Sequence, residues 1–169
     1  MCLNWGCIPS KALISNAHLY HKAQTAAEVG LSFSDIKLDV AKMQTWKDGI
    51  VKKLTTGVRG LLKSNGATVV EGRGRLLDAH TVEVTGKDGK QTLTAKKGIV
   101  IATGSVVSPS PLPALDEVGY ITSDHALSLK KLPKSLIVLG GGSIACELAQ
   151  FFARFDVQVT QIQRSPYVL

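Results

Sequence analysis

The stretch that decides the fold is Ser135-Leu136-Ile137-Val138-Leu139-Gly140-Gly141-Gly142-Ser143-Ile144-Ala145, an apolar run followed by a glycine-rich turn. The apolar run predicts a strand. The helix after the turn has one apolar face, formed by Ile144, Leu148, Phe151, Phe152 and Phe155. A second strand is predicted over residues 157–162. The order strand, glycine turn, helix, strand is typical of an α/β nucleotide-binding fold.

The turn matches the pattern G-x-G-x-x-G/A at Gly140, Gly142 and Ala145. Gly140 allows the tight turn, Gly142 lets the backbone approach a pyrophosphate, and Ala145 lets the helix lie close to the strand. The helix N-terminus then offers free N–H groups and partial positive charge to the phosphates. The candidate NAD(P)-binding residues are Gly140, Gly141, Gly142, Ser143, Ile144, Ala145, Glu147, Gln163 and Arg164.

The residues after the second strand leave the choice between NAD and NADP open. An acidic residue there would bond the ribose 2′-hydroxyl of NAD, and an arginine would favour the 2′-phosphate of NADP. The sequence has Gln163-Arg164 and no acid. Glutamine can still bond a hydroxyl, and Arg164 can meet a phosphate or face solvent.

Upstream, the sequence predicts helices over 1–66 and extended structure over 67–113. One helix begins near Pro9 and ends at Gly30, and an amphipathic helix ends at Asn65-Gly66. Strands are predicted at 68–71, 81–84, 91–94 and 98–102, with a turn or bulge at 72–74 and a hairpin turn at 86–89. The continuous apolar run 98–102 predicts a buried parallel strand, and a Ser- and Pro-rich linker follows over 105–113.

Composition excludes several classes of protein. The 169 residues are 44% hydrophobic and 20% charged, which is globular, and no apolar run reaches the roughly 18 residues of a membrane span. No signal-peptide pattern is visible at the start, which predicts a cytoplasmic protein. The net charge is +7, and five of the basic residues lie between Lys47 and Lys63. Their helical spacing predicts a solvated helix face and no nucleic-acid partner.

Cys2 and Cys7 stand in the spacing C-x4-C, which differs from the C-x2-C of zinc sites, and too few ligands remain to complete a metal site. On an ideal helix their Cα atoms would lie about 8–9 Å apart. A disulfide needs about 4.4–6.8 Å, so a bridge requires a distorted turn, which Gly6 permits. A helix starting near Pro9 would lower the pKa of the Cys7 thiol. The alternative is two ordinary buried cysteines, and Cys146 is predicted to be a packed small residue.

Three segments together carry a resemblance to a known family. Residues 2–13, Cys-Leu-Asn-Trp-Gly-Cys-Ile-Pro-Ser-Lys-Ala-Leu, resemble the redox-active disulfide segment of the FAD-dependent pyridine nucleotide–disulfide oxidoreductases, and among these most of all that of the dihydrolipoamide dehydrogenases. Residues 98–105 resemble the family's second flavin-contact motif. Residues 132–147 resemble the entry to its nicotinamide domain.

The resemblance implies roles for particular residues. Cys2 would be the thiol that exchanges with a dithiol substrate or lipoyl group, and Cys7 the charge-transfer thiol beside the flavin. Lys11 would lie near the flavin ring as a buried cation paired with Glu147. The remaining implied FAD contacts are Gly74, Thr103, Gly104 and Ser105. Electrons would pass between dithiol, Cys2–Cys7 disulfide, FAD and NAD, with NADP possible. The four histidines match no catalytic motif of the family.

The resemblance also implies that parts of the family's fold are missing. No second GxGxxG occurs in this sequence, although the family begins with one, and Gln163 replaces the acid usual in members that use NAD. We therefore expect an α/β fragment with a partial FAD-binding domain (1–120), a connector (121–134) and the first βαβ unit of a Rossmann-like NAD(P)-binding domain (135–169). The C-terminal dimerisation domain, which supplies a His–Glu acid/base pair to the partner subunit, would be absent.

The expected parent is a homodimeric enzyme that oxidises dihydrolipoamide with NAD+, and the fragment alone is expected to be nearly inactive. A mercuric- or glutathione-type reductase using NADPH is the alternative within the family. The alternative of another class is a non-catalytic module that binds nucleotides or thiols.

Overall fold

A computed structural model describes residues 1–110 and 112–169. The elements in chain order are α1 (Cys2–Trp5), α2 (Cys7–Thr25), a 3₁₀ turn (Ala26–Val29), α3 (Val40–Ser64), β1 (Arg73–Leu76), β2 (Thr81–Gly86), β3 (Gly89–Thr94), α4 (Ala114–Val118), α5 (Ser123–Ala126), β4 (Ser135–Leu139), α6 (Ser143–Ala153) and β5 (Gln158–Ile162). This mixture of helices and sheets confirms the α/β class. The chain forms two compact units, one made of Met1–Thr55 with Val107–Leu169, the other of Thr56–Val106.

The first unit contains the predicted β–turn–α–β motif. Strands β4 and β5 pair in parallel, with Ser135 opposite Gln158 and Leu139 opposite Ile162, and α6 is the connection between them. Both strands alternate between exposed and half-buried residues, because one face of the two-stranded sheet packs against α6 and the other is open. The motif therefore forms where the apolar pattern and the glycine turn predict it.

The core of this unit lies where α2 packs against α6. Leu13 and Ala17 of α2 meet Phe151 and Phe152 of α6, and these four side chains are almost completely buried. The Phe151 ring lies edge-on to Phe152, with centroids 4.9 Å apart, and edge-on to Phe155 at 5.3 Å. Edge-to-face aromatic packing adds to the hydrophobic burial, so this cluster fixes α6 beneath the disulfide-bearing helix.

The predicted helix ends are confirmed. Gly30 closes the 3₁₀ turn in a left-handed conformation with φ +82°, and Gly66 (φ +72°) follows the end of α3. Short helices α4 and α5 were not predicted. The predicted linker 105–113 includes Pro111, which lies outside the described residues, and the predicted domain boundaries at 120 and 134 stay predictions.

One basic residue of α3 corrects the expectation of a solvated face. Lys47 is buried, with 7% of its surface exposed, and its Nζ donates to the carbonyl of Leu127 at 3.0 Å and contacts Asp48 at 2.8 Å. The buried ammonium thus has a carbonyl acceptor at the end of α5, which helical spacing alone could not indicate. The other four basic residues between 47 and 63 are exposed.

The second unit is an antiparallel sheet in the order β1-β2-β3. The predicted hairpin is confirmed, since Gly86 pairs with Gly89 and Lys87-Asp88 form the two-residue turn. The turn or bulge predicted at 72–74 is wrong, because β1 begins at Arg73 and pairs with β2. A Cβ atom on Gly72 would lie 2.6 Å from the Thr85 carbonyl oxygen, so the close approach of two backbones is what requires glycine there.

Two predicted strands are wrong. Residues 68–71 and 98–102 form no strand and pair with no strand among the residues that the structure describes. Within the second run, Val100 is 91% exposed and Ile101 69% exposed. An apolar run can be a buried central strand only when neighbouring strands flank it, and none does so within residues 1–110 and 112–169.

None of the described helices is both long enough and apolar enough to cross a membrane.

We expect Phe152→Ala to lower the free energy of unfolding by about 3–5 kcal/mol, because it opens a cavity in the α2–α6 contact. Urea unfolding followed by circular dichroism measures the change. Phe33→Ala is the matched control, since Phe33 is 59% exposed and its removal should cost less than about 0.5 kcal/mol. Equal losses for the two variants would contradict the assignment of the core.

Candidate functional site

Cys2 and Cys7 form a disulfide at the start of the chain, with their Cα atoms 4.8 Å apart. Gly6 makes this approach possible because it interrupts the helix: its backbone (φ −131°, ψ −115°) separates α1 from α2. A Cβ atom on Gly6 would lie 3.2 Å from the Cys2 Cα atom, tighter than an ordinary contact. The distorted turn predicted at Gly6 is therefore present, and the two cysteines are exposed, contrary to the alternative of ordinary buried thiols.

Cys7 is the first residue of α2, two residues earlier than the helix start expected at Pro9. Gly6 is the N-cap and supplies no side-chain hydrogen bond to the free N–H groups of the first turn. These groups carry partial positive charge. A thiolate at Cys7, once the bridge is reduced, would lie at this positive end and be stabilised by it.

Lys11 and Glu147 form an ion pair that joins α2 to α6, as predicted, with Nζ and Oε1 2.5 Å apart. Lys11 lies one turn beyond Cys7, so both residues are on the same side of α2. The pair is not the buried one that was expected, because the side chains are 58% and 41% exposed. An ion pair this exposed contributes little to stability, about 0–1 kcal/mol, so stability does not explain the presence of Lys11.

The glycine turn has the conformation that its sequence predicts. Gly140 has φ +122°, which favours glycine, and its N–H donates to the Ile162 carbonyl at 2.8 Å. Around a Cβ atom built on Gly142 there is open space to 4 Å. Helix α6 begins at Ser143 without a side-chain cap, which leaves backbone N–H groups at its N-terminus. This uncapped end beside an open glycine backbone fits a phosphate group.

The two residues after β5 take different directions. The Gln163 amide turns back toward the glycine turn, where it donates to the carbonyls of Ser165 (2.6 Å) and Tyr167 and lies against Gly141. Arg164 is exposed. Only the arginine is therefore open to an incoming group.

The remaining predicted flavin contacts lie in the second unit. Gly74 is an exposed residue of β1 and pairs with Val84. Thr103, Gly104 and Ser105 form an exposed stretch without regular structure, in which Gly104 has φ +79°. Exposed backbone of this kind is able to contact a ligand directly.

Of the four histidines, His125 has a local structural role. The ring Nδ1 of His125 accepts the Thr122 backbone N–H at 3.1 Å and so caps α5. Desolvation, followed by the nearby charges of Lys22, Arg154 and His21, lowers the pKa of His18.

Two side chains behind the glycine turn form hydrogen bonds with its backbone carbonyls. Cys146 is a free, half-buried cysteine whose Sγ contacts the Gly141 carbonyl oxygen, and Gln161 of β5 contacts both Cys146 and Gly140. Sequence pattern alone predicts a packing role for Cys146 and no role for Gln161. The available signal was a polar residue at an inward position of β5.

Comparison with known proteins places these features in a family. The family model described as pyridine nucleotide-disulphide oxidoreductase matches residues 1–169. Dihydrolipoyl dehydrogenase from Geobacillus stearothermophilus is 46% identical over 170 residues, covering 100% of this chain and 36% of that protein. The mitochondrial dihydrolipoyl dehydrogenase of Dictyostelium discoideum is 44% identical over 163 residues, covering 96% of this chain and 33% of that protein.

A solved structure agrees. The copper(II) complex of a mutant of the HOCl-induced flavoprotein disulfide reductase RclA from Escherichia coli superposes with a TM-score of 0.80 at 26% identity, covering 99% of this chain and 34% of that one. The chain thus spans about a third of the length of the relatives it matches. On the match over residues 1–169, the chain belongs to the pyridine nucleotide-disulphide oxidoreductase family.

Proposed function

We propose that this chain carries the redox disulfide and part of the FAD and NAD sites of an oxidoreductase that oxidises dihydrolipoyl groups. The observation that carries the proposal is the Lys11–Glu147 pair. It lies where the helix that begins at the Cys2–Cys7 bridge meets the helix that begins at the glycine turn. A thiol centre and a nucleotide turn are thus on adjoining helices with a paired charge between them, and the matched relatives are dihydrolipoyl dehydrogenases.

The chain's own thiols carry the first half of the reaction. A substrate thiolate attacks Cys2 Sγ, the Cys2–Cys7 bond breaks, and Cys7 leaves as a thiolate at the N-terminus of α2. The second substrate thiolate then attacks the substrate sulfur bound to Cys2. This step releases Cys2 and the oxidised cyclic disulfide. Two electrons have passed from the dithiol to the cysteine pair, and the two thiol protons are lost to solvent.

FAD, when bound, would supply two-electron chemistry between the reduced cysteines and the nicotinamide. We propose Lys11 as a flavin contact of the first unit and, separately, Gly74, Thr103, Gly104 and Ser105 as flavin contacts of the second. Lys11 would place a positive charge where reduced flavin is anionic, and Glu147 would keep that ammonium oriented. The exposed backbone at Gly104 would allow close approach of the cofactor.

For the second nucleotide we propose NAD, held by residues 140–145. The pyrophosphate would lie at the uncapped N-terminus of α6, against the open side of Gly142. Gln163 and Arg164 would lie nearest the adenosine ribose. NADP is the alternative, which the exposed Arg164 would favour. The partner is proposed to be a small dithiol or a protein-borne lipoyl group, and the active form a homodimer.

A chimera tests the function as a whole. We expect residues 2–169, placed in Geobacillus dihydrolipoyl dehydrogenase in exchange for the matching segment, to support NADH formation from dihydrolipoamide. The Cys7→Ser version of the chimera should lose at least about a hundredfold in kcat, because the bridge cannot form. Faster turnover with oxidised glutathione or mercuric ion and NADPH would instead support the alternative reductases. A flavin-loaded chimera inactive toward all three substrates would contradict the proposal.

We expect Gly6→Ala to disfavour the disulfide, because the new Cβ atom would press on the Cys2 backbone. The equilibrium constant for forming the bridge should fall about tenfold, which corresponds to the lower end of overpacking costs. Alkylation and mass spectrometry in glutathione redox buffers measure it. Gly49→Ala is the control, since open space surrounds Gly49 in α3. A bridge equally stable in both variants would show that Gly6 is not needed for closure.

Gly142→Ala separates nucleotide binding from folding. Its backbone (φ −79°, ψ 175°) suits any residue and its Cβ meets open space, so the unfolding midpoint should not change. The methyl group would occupy the position proposed for the pyrophosphate. We therefore expect the affinity for NADH, measured by isothermal titration calorimetry, to fall about tenfold or more. An unchanged affinity of this variant for NADH would show that the pyrophosphate does not lie against Gly142.

A further inference from the structure

Gln161 is a polar residue at an inward position of β5. The strand alternates in exposure, and Gln161 lies with Val159 on the half-buried side that faces α6, whereas Gln158 and Thr160 are exposed. A helix-facing position normally carries an apolar side chain. A half-buried amide is costly unless it is hydrogen-bonded, so its partners matter.

The partners of Gln161 form a short chain of hydrogen bonds behind the glycine turn. Gln161 Nε2 donates to the Gly140 carbonyl oxygen at 2.9 Å and to Cys146 Sγ at 3.4 Å. Cys146 Sγ in turn donates to the Gly141 carbonyl oxygen at 3.4 Å. The amide nitrogen has two protons, so it can serve both acceptors at once. Two consecutive carbonyls of the turn are therefore held by side chains from β5 and α6.

Holding these carbonyls also orients the N–H groups. In a trans peptide the C=O bond and the following N–H point in opposite directions. Fixing the Gly140 carbonyl toward Gln161 turns the Gly141 N–H away from it, and fixing the Gly141 carbonyl toward Cys146 does the same for the Gly142 N–H. The Gly141 oxygen accepts the Leu169 N–H as well, at 2.7 Å, which its second lone pair allows.

We propose that Gln161 and Cys146 form a brace that sets the glycine turn in the conformation that binds pyrophosphate, so that Gln161 is a positioning residue for the nucleotide. This rests on the proposed nucleotide site. The brace acts through the carbonyls of Gly140 and Gly141 and does not touch the ligand. Its effect is to present the Gly141 and Gly142 N–H groups before the nucleotide arrives, which reduces the cost of ordering them on binding.

The test compares the Gln161→Leu variant with the unaltered chain and with Gln158→Leu. The second variant is a control at an exposed position of the same strand. Two quantities are measured: the dissociation constant for NADH, by calorimetry, and the hydrogen-exchange rate of the Gly140 amide, by NMR with ¹⁵N-glycine. That amide bonds to Ile162 and so reports on the order of the turn. We expect Gln161→Leu to weaken NADH binding about threefold to tenfold and to speed Gly140 exchange by a similar factor. Gln158→Leu should change neither.

A second pair of variants tests the brace independently, so that the proposal can be decided even if Gln161→Leu does not fold. Cys146→Ala should reproduce a weaker form of both effects, and Cys146→Ser, which keeps a donor, should restore values close to the original. Unchanged Gly140 exchange in both Gln161→Leu and Cys146→Ala would overturn the brace. If the unaltered chain binds no NADH, the proposed nucleotide function fails on its own, and Gly140 exchange still decides the brace.

Discussion

Helices α2 and α6 meet through two small or branched residues of α2 and two phenylalanines of α6, and the candidate site depends on this contact. The helix that begins at Cys7 cannot move independently of the helix that begins at Ser143, because Leu13, Phe151 and Phe152 are almost fully buried between them. The Lys11–Glu147 pair lies at the same contact but is too exposed to hold it together. Hydrophobic packing therefore fixes the distance between α2 and α6, and the ion pair places a positive and a negative charge at their contact.

Much of the fold could be predicted from local pattern. The β4–α6–β5 motif combines an apolar run, a glycine turn and an amphipathic helix within 28 residues, so all of its determinants are close in sequence. The hairpin at Lys87-Asp88 is local for the same reason. The predicted distortion at Gly6 also follows from covalent geometry, since a helix cannot bring Cys2 within bonding reach of Cys7.

What could not be predicted depends on distant partners. The apolar run 98–102 looks like a buried strand, but burial requires neighbouring strands, and an isolated pattern does not show whether they exist. Lys47 fits a solvated helix face until the Leu127 carbonyl, 80 residues away, supplies its acceptor. Gln161 differs in sequence only as a polar residue at an inward position of β5, and the packing of β5 against α6 is needed to reveal the turn carbonyls as its partners. In each case the deciding group is remote in sequence.

The disulfide closes a loop of only six residues, and this short loop limits how much the bridge stabilises the chain. Loop-closure entropy grows with the number of residues enclosed, so a bridge this short constrains the unfolded chain by about 2 kcal/mol at most. Neither cysteine belongs to the aromatic core, and both are exposed. Whether the two sulfurs are bonded therefore changes the free energy of unfolding by no more than this amount. A bridge so placed can be opened without removing any contact of the aromatic core.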